Sequence, residues 1–267
     1  MNHRAVQRAL FRMQLDPRFA ERVAAREPEA VRSAGLGPDE LALLAGADRI
    51  ALSADREGRR RAQFLRNVAG EFALSLAAAA RAELVDEFPA SPEFHAAVTA
   101  GDSLPLAFAR HLAARTAQAP ALVRALVSLE VALARLRRAV GAAPELAPGE
   151  VARAPWVELL AVPAGTLAAA AALRSALDRG ATPGRVDVSA TALETLLLRR
   201  TPEPAPFRLP AVELEALSPA LADLLARAAK PLGRAARADY ARAVEIAPAE
   251  LEQVVAGLVA DRVLLAG

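Results

Sequence analysis

A stripe of leucines along residues 121–140 constrains the fold more than any other feature of the sequence. In the stretch ALVRALVSLEVALARLRRAV, apolar residues recur every three or four positions, which is the period of an amphipathic helix. Alanine, leucine and arginine, which recur through the stretch, are strong helix formers. One side of the predicted helix carries Leu122, Leu126, Leu129, Leu133 and Leu136. Similar spacing elsewhere in the chain predicts a mainly α-helical protein.

The composition allows a buried core but limits what can fill it. Apolar residues make up 54% of the 267 residues and aromatic residues only 4%, so leucine, valine and alanine must form most of the core. The net charge of +2 gives little support for binding to nucleic acid or membranes. The absence of cysteine excludes disulfide and thiolate chemistry. No apolar run is long enough to span a bilayer, and no secretory signal is visible, so we predict a soluble cytoplasmic protein.

Proline, glycine and capping residues divide the first part of the chain into predicted helices. Asp16 is placed to cap a helix that begins at Pro17. We predict a small helical extension over residues 1–50 and a helical domain over 55–145. A single long helix is predicted over residues 55–87, where one face carries Phe64, Val68, Phe72, Leu76 and Ala79. The proline- and glycine-rich stretch GAAPELAPGEVARAP then predicts a domain boundary.

Residues 150–267 have a different pattern, which predicts a small sheet combined with three helices. The predicted strands are WVELLAVPAG, RVDVSA, and the two arms of a hairpin, ALETLLLRR and PFRLP. Predicted helices follow at about 211–229, 232–244 and 248–260, and RVLLAG is predicted as a last short strand. The predicted fold class is therefore α+β, mainly α with a small β-sheet. An N-terminal helical region precedes a C-terminal winged-helix-like peptide-recognition domain.

The sequence contains none of the common catalytic or metal-binding motifs. It has no GxGxxG, no Walker loop, no GxSxG and no HExxH. The three histidines, His3, His95 and His111, lack the paired spacing of a helical metal site. We predict no catalytic residue, no metal site and no cofactor in this chain. An enzyme whose active-site residues are dispersed in the sequence is an alternative that the sequence leaves open.

A cluster of arginines lies at the start of the predicted helix 55–87, in the stretch REGRRRAQFLRN. Cations at a helix N-terminus oppose the helix dipole, so the cluster is unfavourable for the helix itself. That cost favours a contact with an anion or with a partner protein, and a solvated helix start in an arginine-rich chain is the alternative. The predicted partner-binding residues are Arg59, Arg60, Arg66 and Asn67.

Winged-helix-like domains bind partners in two common ways. One is a recognition helix in a DNA groove, and the other is a sheet edge that pairs with an extended peptide. The last predicted helix carries Glu250, Glu252 and Asp261, which are unfavourable against phosphates. Peptide binding is therefore favoured, and a DNA-binding transcriptional regulator is the alternative. The predicted peptide-binding residues are Leu196, Leu198, Arg200, Phe207, Leu209, Val254 and Leu258. A proline at position 198 is expected to remove peptide binding, because it deletes a strand donor.

Two parts of the sequence resemble known families. The stretch from TLLLRRTPEPAPFRLPAVELEAL to the end of the chain resembles the PqqD-like peptide-recognition domain of ribosomally made peptide natural products. The stretches RRRAQFLRN, EFHAAV and LVRALVSLEVALARLRRA are similar to the MbnC/HvfC family. The matching positions are Phe64, Leu65, Arg66, Asn67, Phe94, Leu126, Leu129 and Glu130. Together the resemblances cover residues 55–267.

The resemblance implies a function and a partner. Members of the MbnC/HvfC family are non-catalytic partners of TIM-barrel multinuclear iron oxidases, which modify cysteine in a precursor peptide. The implied role of this chain is to form a heterodimer with such an oxidase, to bind the leader of the precursor peptide and to present it. Iron is then expected in the partner enzyme and no cofactor in this chain.

Overall fold

The computed structural model describes residues 2–45, 67–139, 141–181, 188–189, 191–201 and 209–267. Most of the predicted strand RVDVSA and four predicted site residues lie outside the described residues. The four are Arg59, Arg60, Arg66 and Phe207. The chain divides into two compact units, Met1–Glu130 and Val131–Gly267. The fold is mainly α with small antiparallel sheets, as the sequence predicts.

The first unit is built from helices. Residues 67–71 are helical, and Phe88–Ala90 form a 3₁₀ turn. The other helices are α1 (His3–Leu15), α2 (Pro17–Ala24), α3 (Pro28–Ala34), α4 (Pro38–Ala45), α5 (Ala73–Ala79), α6 (Leu84–Glu87), α7 (Pro92–Ala100), α8 (Leu104–Arg115) and α9 (Ala121–Arg138). The last of these, α9, runs on into the second unit. The predicted cap of α2 is confirmed, because Asp16 Oδ1 accepts the Phe19 N–H at 3.1 Å. No helix of the described residues is long and apolar enough to cross a membrane.

The prediction of one helix over residues 55–87 is wrong in its described part. The helix is interrupted at Phe72. The helix that follows, α5, ends at Ala79, and its cap residue Ala80 has a φ of 50°, in the left-handed region. The interruption at Phe72 has a tertiary cause. The carboxylate of Glu130, on α9, accepts hydrogen bonds from the backbone N–H groups of Leu74 and Ser75, each at 2.9 Å. A helix end can form here because another helix satisfies its unpaired N–H groups.

The second unit combines strands and helices. Its elements are β1 (Val151–Arg153), β2 (Val157–Pro163), α10 (Thr166–Asp178), β3 (Leu193–Arg200), β4 (Val212–Leu217), α11 (Pro219–Arg227), α12 (Arg234–Ala243), α13 (Pro248–Ala260) and β5 (Leu264–Ala266). The three-stranded antiparallel sheet has the order β2-β3-β4, and β1 pairs with β5. Three helices and a short strand follow β4 as predicted, whereas α10 lies between β2 and β3; the winged-helix-like character of this unit stays a prediction.

The second arm of the hairpin and the start of α11 differ from the prediction. The strand that pairs with β3 is VELEAL, which we predicted as the start of a helix. Of the predicted arm PFRLP, only Leu209 and Pro210 lie within the described residues, and neither is in a strand. The alternation of apolar and acidic residues in VELEAL has the two-residue period of a strand. The helix begins only at Pro219, where the Ser218 hydroxyl accepts the Leu221 N–H at 3.4 Å. Leu209 therefore lies before the strand, and its side chain is 49% exposed.

The two faces of the three-stranded sheet are both covered along β3. Leu197 points to one face and joins a core with the helices that follow the sheet, whose buried members include Leu224, Leu225, Tyr240, Leu251, Val255 and Leu264. Leu196 and Leu198 point to the other face and are fully buried. On that face the Arg200 side chain donates to the carbonyl of Ala139. Burial on both faces explains the three consecutive leucines of β3.

Candidate functional site

One side of the β4 backbone is unpaired. The Thr201 N–H donates to the carbonyl of Ala211 at 2.9 Å, which fixes the pattern of hydrogen bonds between β3 and β4. In an antiparallel pair, alternate residues direct their backbone groups towards the partner strand. The remaining residues direct their N–H and C=O groups outwards and have no backbone partner in the described part of the chain. They are Val212, Leu214 and Ala216.

The other edge of the sheet, at β2, is less suited to pairing. The Val157 N–H points outwards but already donates to the Ala154 carbonyl at 3.0 Å. Pro163, at the far end of the strand, has no N–H. Only Leu159 and Ala161, between them, have both outward groups without a backbone partner among the residues described. The longer uninterrupted edge is therefore β4.

Hydrogen exchange is expected to reveal the free edge of β4 directly. The outward N–H groups of Leu214 and Ala216 should exchange about tenfold faster, or more, than the paired N–H groups of Glu213 and Glu215. Residue-resolved NMR of the free protein measures these rates. Equal protection of all four amides would mean that another part of the chain covers this edge.

Arg199 connects β4 to the C-terminal end of α13. Its Nε donates to Glu213 Oε2 at 2.9 Å, and its Nη1 donates to the carbonyl of Asp261 at 2.7 Å. The indole N–H of Trp156 donates to the next carbonyl, that of Arg262, at 2.9 Å. These five residues line a cleft of about 280 Å³. The free edge of β4 therefore lies beside the end of the last helix.

The last helix has an exposed apolar side. Val254 is 41% exposed and Leu258 is half-buried, whereas Leu251 and Val255 are buried in the core. Leu258 packs against the same core cluster as Leu217, the last residue of β4. α13 and the end of β4 therefore contribute to one core.

The structure places the predicted peptide-binding residues in different environments. Val254 and Leu258 belong to the last helix, whose C-terminal end is tied to Arg199 through the Asp261 carbonyl. Leu196 and Leu198 lie in the central strand, are fully buried, and have strands on both sides. Arg200 points to the opposite face of the sheet from Arg199 and Leu197. The structure does not bring Leu196, Leu198 or Arg200 to the free edge of β4. Asn67, from the predicted partner-binding set, is exposed in the helical segment 67–71.

Sequence reasoning missed the residues that border this edge. Arg199, Glu213 and Glu215 were not among the predicted site residues. The signal that identifies them is the two-residue alternation of VELEAL, combined with the pairing of Arg199 opposite Glu213.

A buried arginine holds α12 and α13 together. Arg237 is 3% exposed, and its guanidinium donates to both carboxylate oxygens of Glu252, at 2.8 and 3.1 Å. It also donates to the carbonyls of Gly149 and Leu232, each at 3.0 Å. The hydrogen bond from Arg237 is the main cause that lowers the pKa of Glu252 below its ordinary value. Arg237 is thus committed to structure and is not available to an external phosphate.

Substitution of Arg237 by methionine is expected to lower the free energy of unfolding by about 2 kcal/mol, because two carbonyls lose their donor. The substitution should also make the free energy of unfolding depend less on pH in the acid range. The pKa of Glu252 is lower in the folded than in the unfolded protein, so its contribution is present above the ordinary glutamate pKa of 4.5 and is lost as the pH falls through the folded value. Urea unfolding between pH 3 and 7 measures both effects. An unchanged acid dependence would contradict the assigned role.

Two histidines contact carboxylates that are distant in sequence. His95 Nε2 lies 3.0 Å from Asp16 Oδ2, and His111 Nδ1 lies 3.4 Å from Glu93 Oε2. Neither contact follows from helical spacing. Each pair lacks further ligands, since no group of three or more metal-binding side chains is found within the described ranges. The geometry of these pairs is that of buried or half-buried contacts between an imidazole nitrogen and a carboxylate oxygen.

Compared with the profiles of known protein families, the chain matches none, and a search of curated proteins finds no relative of significant similarity. The function must therefore be argued from the geometry and the residues.

Proposed function

We propose that this chain is a non-catalytic partner subunit that binds the leader of a ribosomally synthesised precursor peptide. It presents the peptide to an iron-dependent oxidase that acts on cysteine. The observation that carries the proposal is the free edge of β4, which offers three N–H and three C=O groups beside the last helix. Such an edge is the usual acceptor of an extended peptide.

The proposed binding mode is the addition of one strand to the sheet. The backbone of the leader pairs with Val212, Leu214 and Ala216, and this pairing gives affinity independent of side chains. Its side chains alternate between the two faces of the extended sheet. Those on the face of Leu217 lie towards the last helix, where Val254 and Leu258 offer apolar contact.

The proposed division of labour places the chemistry in the partner. The resemblance to the MbnC/HvfC family supports a heterodimer with a TIM-barrel multinuclear iron oxidase, which holds the iron. We assign the contact with the oxidase to Arg59, Arg60, Arg66 and Asn67. The complex is proposed to act in the cytoplasm, where precursor peptides are made.

The alternative, a DNA-binding transcriptional regulator, is less well supported. The middle helix α12 carries three arginines, but Arg237 is buried against Glu252, and Arg242 forms an ion pair with Asp239. Glu250 and Asp261 are exposed on the last helix. Because phosphate contacts dominate affinity for DNA, this distribution of charge favours a peptide.

Affinity purification of the tagged chain from its native host, followed by mass spectrometry, tests the proposal. The chain is expected to recover an oxidase and a short cysteine-containing peptide. The matched variant is Ala216→Pro, at an exposed position whose N–H points outwards. Because proline is tolerated there on an edge strand, the variant should keep the oxidase and lose the peptide. Binding to duplex DNA with a steep salt dependence, without any peptide, would overturn the proposal.

A further inference from the structure

Two glutamates of β4 lie on the same face of the sheet but differ in their partners. The carboxylate of Glu213 is bound by the guanidinium of Arg199. Glu215 is exposed, and its carboxylate has no hydrogen bond or ion pair with any residue that the structure describes. The edge therefore carries one neutralised carboxylate and one that is free to accept a cation.

The position of Glu215 on the strand determines what a docked peptide would place beside it. Glu215 pairs with Leu197 of β3 through its own backbone groups, so it lies between two outward-pointing residues. In an added antiparallel strand, the residue opposite Glu215 occupies a non-hydrogen-bonded site, where side chains are closest. Opposite charges at such a site attract, and like charges repel.

The cleft beside β4 carries charges of both signs. Arg199 and Arg262 line it together with Glu213 and Asp261. The backbone carbonyl of Asp261 is held next to Glu213 by Arg199. Since the cation of Arg199 already serves Glu213, Glu215 is the carboxylate of β4 that a ligand can balance.

We infer that the peptide bound at β4 is basic: it places a lysine or an arginine opposite Glu215 and an apolar side chain two positions away, opposite Leu217. This inference rests on the docking at β4 that is proposed above. The two-residue spacing follows from the alternation of side chains in a strand. The apolar residue meets Leu217 and Leu258, whereas the cation meets Glu215.

Selection from a random decapeptide display library against the full-length chain tests this inference. Peptides enriched on the unaltered protein are expected to carry lysine or arginine two positions from an apolar residue. Glu215→Lys should reverse the preference and select acidic residues at that position. Asp178→Lys makes the same change of charge at an exposed carboxylate on α10 and should leave the preference unaltered.

Affinity measurements with one enriched peptide add a quantitative readout. Glu215→Lys is expected to weaken its binding by about tenfold, and Asp178→Lys by less than about twofold. Added salt should reduce the difference between the two variants, because the groups are close to solvent.

The outcomes separate this inference from the docking mode on which it rests. Enriched peptides that protect the Leu214 and Ala216 amides from exchange, but show no preference for cations, would overturn the inference and leave the docking at β4 standing. Enriched peptides that leave these amides unprotected would overturn docking at β4. A library from which nothing is enriched would overturn both the preference for a cation and the docking at β4.

Discussion

Substitution of Glu130 by alanine is expected to lower the free energy of unfolding of the unit Met1–Glu130 by about 3–5 kcal/mol. The carboxylate is 1% exposed, and it accepts the N–H groups of Leu74 and Ser75 as well as the Ser75 hydroxyl. Alanine would leave these donors without an acceptor in a site closed to water. Thermal unfolding followed by circular dichroism measures the loss.

Glutamine at position 130 is the matched control. It keeps the size of the side chain and one oxygen acceptor, but its amide nitrogen faces a donor. We expect the glutamine variant to lose less free energy of unfolding than the alanine variant. Hydrogen exchange adds a local readout, because the amides of Leu74 and Ser75 should lose protection before those of α8. Protection of both amides in the alanine variant would show that the cap does not depend on this carboxylate.

Proline at position 198 is expected to lower the free energy of unfolding of the unit Val131–Gly267 by about 4 kcal/mol or more. Leu198 lies in the central strand, opposite Glu158 of β2 and Leu214 of β4, and its side chain is fully buried. Proline removes a donor from the ladder and replaces the buried leucine. A loss of peptide binding in this variant would report the loss of the fold.

The contrasting variant at the free edge is Ala216→Pro. Its N–H has no backbone partner within the described ranges and its side chain is exposed, so the cost of this substitution should stay below about 1 kcal/mol. Urea unfolding of the two variants measures the difference. Similar losses at positions 198 and 216 would contradict the assignment of β3 as the central strand and β4 as the edge.

Local patterns in the sequence were sufficient where local forces determine the structure. The leucine stripe of residues 121–140 predicts α9, and Leu126, Leu129 and Leu136 are buried as expected. The capping signal at Asp16 places the start of α2 correctly, and the helix predicted at 248–260 matches α13. In each case the spacing of apolar residues or a capping residue within a few positions decides the element.

The missed elements depend on contacts that are distant in sequence. The interruption at Phe72 requires Glu130, which is more than fifty positions away, so no local signal in the predicted helix could reveal it. The free edge of β4 was missed for a related reason. The leucines of β3 are the most conspicuous residues of the hairpin, and they are apolar because both faces of the sheet are covered along this strand. The free backbone belongs to the less conspicuous VELEAL.

The cleft at the end of the sheet also gives the protein an intrinsic optical probe. The chain contains one tryptophan, Trp156, and its indole is held by a backbone carbonyl beside Arg199 and Glu213. Fluorescence excited at the tryptophan band therefore originates from this one cleft. Binding of a ligand at the edge of β4 can be followed through the wavelength and intensity of that emission, with no label attached to the protein or to its ligand.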